Sequence, residues 1–150
     1  MNSPNADSRR RRTGPEWSGL PAIPPADSHV LLASSGGRDS LAALALLARW
    51  RDQGHIARLS VVHVDHGIHP ESADWAEIAR QQAEAHRCPF QTRWVTVRRA
   101  IGGAGRGSTE AAAREARYQA LEAALTEAAA ADGDHPPVLV TAHHAEDQAE

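Results

Sequence analysis

The sequence contains no lysine, so all 16 of its basic residues are arginines. Its single cysteine, Cys88, excludes an internal disulfide, a Cys-x-x-Cys redox pair and a zinc site built from several cysteines. So little cysteine is typical of a reducing compartment, and we expect a cytoplasmic protein. The longest uncharged apolar run, Leu41–Ala48, is far shorter than the roughly 20 residues that cross a bilayer, so we expect no membrane association.

Acidic residues slightly outnumber basic ones, 19 against 16, and the net charge of −3 provides no general attraction to nucleic acid. The length and the 41% hydrophobic content are typical of one globular domain. Residues 1–28 are rich in arginine and proline without any periodic pattern, which predicts a disordered tail before a folded domain at 29–150. The arginines at 9–12 are either solvated or in contact with a polyanion.

Hydrophobic patterning from His29 onward predicts alternating strands and helices. The predicted strands are Val30–Ser34, Leu59–Val64, Phe90–Val97 and Val138–Ala142, and the predicted helices are Ser40–Trp50, Ser72–His86 and Ser108–Ala131, with a further helix beginning at Ala145. Helix-length connections between strands predict an α/β fold: a doubly wound parallel sheet, Rossmann-like, with helices on both faces. Ligands of such folds bind beyond the carboxyl ends of the strands.

The first predicted strand runs into a hexapeptide suited to phosphate binding. Its glycines permit a tight turn and close approach of backbone N–H groups, and the following helix N-terminus adds positive potential. Two hydroxyls add donors, and Asp39 is a candidate Mg²⁺ ligand. It is not a Walker A loop, which needs a lysine. The alternative is a plain glycine turn with a helix cap. The candidate phosphate-binding residues are Ser35, Gly36, Gly37, Arg38, Asp39 and Ser40.

This hexapeptide resembles the SGGxDS loop of the ATP pyrophosphatase families, which cleave ATP between its α- and β-phosphates. The resemblance implies that the loop holds the pyrophosphate end of ATP, with Asp39 as the Mg²⁺ ligand. It also implies a sheet of the adenine nucleotide alpha hydrolase type. Several tRNA-modifying enzymes and amidotransferase-type synthetases share the loop, so the loop alone does not select a substrate.

The second strand ends in His63-Val64-Asp65-His66-Gly67-Ile68-His69. Strand alternation places His63 and Asp65 on one face. The His-x-x-His-x-x-His array allows a metal site as one alternative, and an ordinary polar strand end is another. The segment resembles the HVNHGLxxxS signature of tRNA(Ile)-lysidine synthases, which implies that His63 and Asp65 lie against the adenosine of ATP. Asp65 stands where asparagine is usual in that family.

The third helix carries arginines on a face that is apolar further along. At 100° per residue, Arg114 and Arg117 share a face with Leu121 and Leu125, which predicts that both arginines point into the crevice at the strand ends. An intrahelical pair of Glu110 with Arg114 is the alternative. The stretch resembles the S/T-x-E-x-x-A-R-x-x-R-Y segment of lysidine synthases, which implies that Arg114 stabilises phosphate charge during catalysis.

Residues 141–150 resemble the THHxxDQxET segment of the same family, which implies that His143 and Asp147 position nucleotide or substrate. The full resemblance implies adenylation, with ATP and Mg²⁺, of the wobble cytidine in an isoleucine tRNA with a CAU anticodon. Free L-lysine then displaces AMP to form lysidine. A sulfur-transferring tRNA enzyme of the same superfamily and a nucleotide-binding fragment without activity are the alternatives. Because family members continue well beyond residue 150, we expect a truncated domain that forms no lysidine alone.

Overall fold

The computed structural model describes residues 23–67, 70–96 and 106–142, with side chains in the last stretch from Glu110 onward. It confirms the alternating order of strands and helices. The strands are β1 (His29–Ala33), β2 (Arg58–Asp65), β3 (Phe90–Trp94) and β4 (Pro137–Thr141), and the helices are α1 (Arg38–Asp52), α2 (Ser72–Ala85) and α3 (Arg106–Ala131). β3 ends three residues before the predicted end at Val97. The helix predicted from Ala145 lies outside the described residues.

The four strands form a parallel sheet in the order β3-β2-β1-β4, which confirms the predicted doubly wound fold. β1 is apolar throughout because both of its faces are covered. Val30 and Leu32 pack with residues of α1 and α2 on one face, while Leu31 packs with Leu121 and Ala124 of α3 on the other. Helices therefore cover both sides of the sheet.

From β1 the chain adds β2 and β3 on one side of that strand, and it then crosses back to add β4 on the other side. β2 and β3 lie to one side of β1, and β4 lies to the other. The strand order therefore reverses at β1, and the helices that connect the strands on its two sides lie on opposite faces of the sheet. This divergence opens a crevice at the carboxyl ends of the strands. The crevice thus lies beyond Ala33 of β1.

The folded domain begins before β1. Ser28, the last residue of the predicted tail, is fully buried. Its carbonyl oxygen accepts hydrogen bonds from the N–H groups of Ala57 and Arg58, at 3.0 and 3.2 Å. Residues 1–22 of the predicted tail lie outside the described residues. No helix in the described part of the chain has the length and apolar character needed to cross a bilayer.

His29 lies at the amino end of β1, away from the crevice. Its Nε2 is 2.7 Å from the Ser60 hydroxyl, and its Nδ1 is buried without a hydrogen-bond partner in the described structure. Burial lowers the pKa of His29 below its usual value, and the charges of Arg58 and His135 lower it further against the opposing effect of Asp132. The folded state therefore disfavours a proton on this ring.

This shift predicts a loss of stability in acid. The unfolded imidazole binds a proton that the folded one resists, so the stabilisation is present above the unfolded pKa of about 6.5 and is lost as the pH falls below it. The melting temperature should fall less between about pH 7.5 and about pH 5 in His29→Gln than in the unsubstituted chain. The exposed His55→Gln variant is the control. Identical pH profiles for all three proteins would contradict the prediction.

Candidate functional site

A cavity of about 370 Å³ opens at the carboxyl ends of β1, β2 and β4. We call it the crevice. Five parts of the chain contribute to its wall: the turn after β1, the end of β2, the first turn of α2, the middle of α3 and the end of β4. The side chains in this wall include Ser35, Asp39, Ser40, His63, Asp65, His66, Trp75, Arg117 and Tyr118.

Serine hydroxyls shape the turn between β1 and α1, residues 35–40, which we call the glycine loop. The N–H of Ser35 donates to the buried Ser40 hydroxyl at 3.1 Å, and the two hydroxyls are 3.0 Å apart. The N–H groups of Gly36 and Gly37 donate to the hydroxyls two residues earlier, at 3.2 and 3.3 Å. These hydrogen bonds connect residues within the turn and stabilise its conformation.

Gly36 has a backbone conformation and a position that both require glycine. Its φ is +83°, in the left-handed region that other residues rarely adopt. A Cβ atom built on Gly36 would lie 2.9 Å from the carbonyl oxygen of Trp75 in α2. The glycine loop is therefore pressed against the first turns of α2.

The amino end of α1 faces the crevice. Gly37 is the N-cap and has no side chain with which to cap the helix. The positive end of the helix dipole and the glycine loop thus meet at one wall, an arrangement that attracts anions. Asp39, in the first turn of α1, also lines the crevice.

Two buried side chains at the end of β2 bind backbone groups. His63 is only 5% exposed, and its Nδ1 lies 2.8 Å from the Ser34 carbonyl oxygen. Because a carbonyl only accepts, Nδ1 carries the proton. Asp65 accepts a hydrogen bond from the N–H of Gly67 at 2.8 Å. An asparagine oxygen makes the same bond, which explains physically how aspartate can stand at this position.

His66 is a crevice residue that sequence reasoning missed, although it belongs to the same segment as His63. Burial lowers the pKa of His66, and the nearby charge of Arg117 lowers it further, while Asp65 opposes the shift. Its Nδ1 is buried without a hydrogen-bond partner in the part of the chain that the structure describes. The ring is therefore neutral near pH 7. Strand alternation by itself places His66 on the opposite face of β2 from His63.

The structure separates the two arginines of α3. Arg117 lines the crevice, as predicted, together with Tyr118. Arg114 is not among the residues that line it, and the catalytic role predicted for Arg114 stays a prediction. Its side chain is exposed, and its guanidinium lies 5.7 Å from the centre of the Tyr118 ring in a cation–π contact. Arg114 is three residues nearer the helix start, about 4.5 Å further along the axis, and so lies beyond the crevice wall.

The carboxylates of Asp39 and Asp65 both line the crevice and supply the oxygen ligands that Mg²⁺ prefers. Within the described ranges no group of three His, Cys, Asp or Glu side chains is arranged to hold a metal. Mg²⁺ typically binds through one or two carboxylates plus substrate phosphates, so the donor set fits it only together with an anionic ligand. His69, His143 and Asp147 lie outside the described residues.

The sequence profile of the PP-loop domain matches residues 19–150. The chain belongs to the PP-loop family. The match begins inside the predicted tail and covers the glycine loop and all four strands. Every wall of the crevice is therefore built from residues of this PP-loop domain.

Curated relatives of this PP-loop chain are named tRNA(Ile)-lysidine synthase. The protein of Ralstonia nicotianae is 43% identical over 122 residues, covering 81% of this chain and 24% of that protein. The protein of Alkalilimnicola ehrlichii is 41% identical over 131 residues, covering 87% of this chain and 26% of that protein. The chain thus spans about a quarter of the length of these relatives.

Among solved structures, the chain is similar to a U34-tRNA thiolase from Methanococcus maripaludis, solved with its [4Fe-4S] cluster. The TM-score is 0.59 at 19% identity, over 83% of this chain and 41% of that one. This likeness supports the fold alone.

Substitution of Gly36 tests whether the loop must lie this close to α2. Gly36→Ala should cost about 1–2 kcal/mol in backbone strain and, in addition, push the glycine loop off Trp75. Gly54→Ala is the matched control, because Gly54 also has a positive φ, +75°, but an added Cβ there would meet nothing within 4 Å. Thermal unfolding should show the larger loss for Gly36→Ala. Equal losses would mean that the contact with α2 is unimportant.

Proposed function

We propose that this PP-loop domain binds ATP in the crevice and belongs to a tRNA(Ile)-lysidine synthase, an ATP-dependent carbon–nitrogen ligase. The observation that carries the proposal is the identity of about 40% to proteins of that name across the residues that form the crevice. The glycine loop, the helix dipole of α1 and the guanidinium of Arg117 support the binding of a polyphosphate.

The glycine loop holds the pyrophosphate end of ATP in this proposal. Its residues, Ser35, Gly36, Gly37, Arg38, Asp39 and Ser40, offer backbone N–H groups and hydroxyls at the positive end of α1. Asp39 is the proposed Mg²⁺ ligand, with Asp65 as a second carboxylate in the same cavity. When bound, Mg²⁺ neutralises phosphate charge.

The end of β2 receives the adenosine. His63 and Asp65 line this part of the crevice and hold the backbone around it, through Ser34 and Gly67. The neutral ring of His66 adds a polar group without a charge. The carboxylate of Asp65 in this wall disfavours a phosphate, whereas it can accept a hydrogen bond from the amino group of a nucleobase.

The proposed reaction adenylates the C2 oxygen of the wobble cytidine in an isoleucine tRNA with a CAU anticodon. That oxygen attacks the α-phosphate of ATP and pyrophosphate leaves. The amine of free L-lysine then attacks C2 and releases AMP, because adenylation has converted a poor leaving group into a good one. Arg117, which lines the crevice, stabilises the phosphate charge in place of Arg114, whose exposed side chain contacts Tyr118 and is outside the lining. His143 and Asp147 position nucleotide or substrate.

Thiolation has less support as the function. Cys88 is the only cysteine of the chain, and it lies just before β3, at the amino ends of the strands. The crevice lies at the carboxyl ends. No cysteine of this chain is therefore available to carry sulfur at the proposed ATP site.

Calorimetry with the 150-residue chain tests the ATP site. With Mg²⁺ present, ATP should bind at least about tenfold more tightly than AMP, because the glycine loop contacts the phosphates that AMP lacks. Asp39→Asn should remove most of the dependence of ATP affinity on Mg²⁺ and leave AMP binding unchanged. Equal affinity for ATP and AMP would rule out a phosphate-binding role for the loop.

Incorporation of labelled lysine into isoleucine tRNA tests the reaction, in the protein of which this domain is part. Arg117→Ala should lower the rate by about a hundredfold, as removal of a charge-stabilising donor does in other enzymes. Arg114→Ala, on the same helix, is the matched control and should lower it by less than about tenfold. Failure of the unsubstituted protein to transfer lysine contradicts the function, and the reverse order of the two variants contradicts the role of Arg117.

A further inference from the structure

Gln82 connects α2 to the glycine loop across 46 positions of sequence. Its side-chain amide nitrogen lies 3.2 Å from the carbonyl oxygen of Gly36. Because a carbonyl only accepts, the amide nitrogen is the donor. The other end of the same side chain, Oε1, is buried without a hydrogen-bond partner in the described structure. Gln82 is not among the residues that line the crevice, and the proposed reaction gives it no role.

The bond determines the direction of one peptide group of the loop. In a planar trans peptide, the carbonyl of one residue and the N–H of the next point in opposite directions. With the Gly36 carbonyl held towards α2, the N–H of Gly37 is turned away from α2, and it donates to the exposed Ser35 hydroxyl at 3.3 Å. Gly37 lines the crevice, whereas Gly36 packs against Trp75 of α2.

A second side chain acts in the same way on the residue just before the glycine loop. The Nδ1 of His63 donates to the carbonyl of Ser34 at 2.8 Å, so the N–H of Ser35 points away from β2 and reaches the Ser40 hydroxyl. Side chains of β2 and α2 thus bind two backbone carbonyls at this turn: that of Ser34, just before the glycine loop, and that of Gly36 within it. His63 is buried in the crevice wall, whereas Gln82 acts from outside it.

We propose that Gln82 is a positioning residue that orients the Gly36–Gly37 peptide of the glycine loop for the phosphates of ATP. The inference rests on the proposed ATP site. Donors fixed in advance bind an anion more tightly, because binding does not have to order them. Stability alone does not explain a glutamine here, since an apolar side chain of the same length would avoid the unpartnered Oε1.

Two substitutions separate positioning from folding. Gln82→Met keeps the length of the side chain and removes both the donor and the unpartnered oxygen. Gln82→Glu keeps the shape and replaces the donor with a negative acceptor facing the Gly36 carbonyl. Gln81→Met is the matched control, because Gln81 is the exposed neighbour on α2 and its amide binds Glu77 on the helix surface at 2.8 Å.

The measurements are the affinities of the 150-residue chain for Mg²⁺-ATP, pyrophosphate and AMP, together with the melting temperature. We expect Gln82→Met to weaken ATP and pyrophosphate binding by about tenfold, to leave AMP affinity within about twofold, and to keep or raise the melting temperature. Gln82→Glu should weaken ATP binding further. Gln81→Met should match the unsubstituted chain in every measurement.

Three results overturn the inference. Unchanged ATP and pyrophosphate affinity in Gln82→Met, with normal binding by the unsubstituted chain, removes the role of Gln82 and leaves the proposed ATP site intact. Equal weakening of AMP and ATP together with a lower melting temperature makes Gln82 a packing residue only. Absence of ATP and pyrophosphate binding by the unsubstituted chain removes the proposed site and, with it, anything for Gln82 to position.

Discussion

The position of β1 in the middle of a parallel sheet is the constraint on which the rest of the structure depends. β1 pairs with β2 on one side and with β4 on the other. The connection from β1 to β2 and the connection from β3 to β4 therefore cross the sheet in opposite directions. Helices α1 and α3 consequently cover opposite faces of the sheet, packed on Leu32 and Leu31 respectively. The carboxyl end of β1 is the point at which both connections diverge, and the glycine loop begins there.

The crevice of this net negative chain brings positive and negative groups together. Its walls combine the positive end of α1 with the guanidinium of Arg117, while His66 stays neutral because burial and Arg117 both lower its pKa. Two carboxylates, Asp39 and Asp65, stand in the same cavity and balance this charge. The balance suits a polyphosphate that arrives with a divalent cation better than a bare anion.

Helix α2 both lines the crevice and supports it. Trp75 in its first turn forms part of the wall and lies against Gly36, and Gln82, two turns later, binds the carbonyl of that glycine. The conformation of the glycine loop therefore depends on residues that are about 40 positions away in the sequence. A loop of this kind is positioned by its neighbours as much as by its own glycines and serines.

Local sequence was enough to predict the parallel sheet, the four strands and the glycine loop. β-branched and leucine runs, helical periodicity and the Gly-Gly turn each depend on neighbours within a few residues. The tertiary structure decided which of Arg114 and Arg117 lines the crevice. Both lie on the same face of α3, so only the position of α3 along its axis relative to the sheet distinguishes them. The pKa of His66 and the bond from Gln82 to Gly36 likewise arise only when β2, α2 and α3 are brought together.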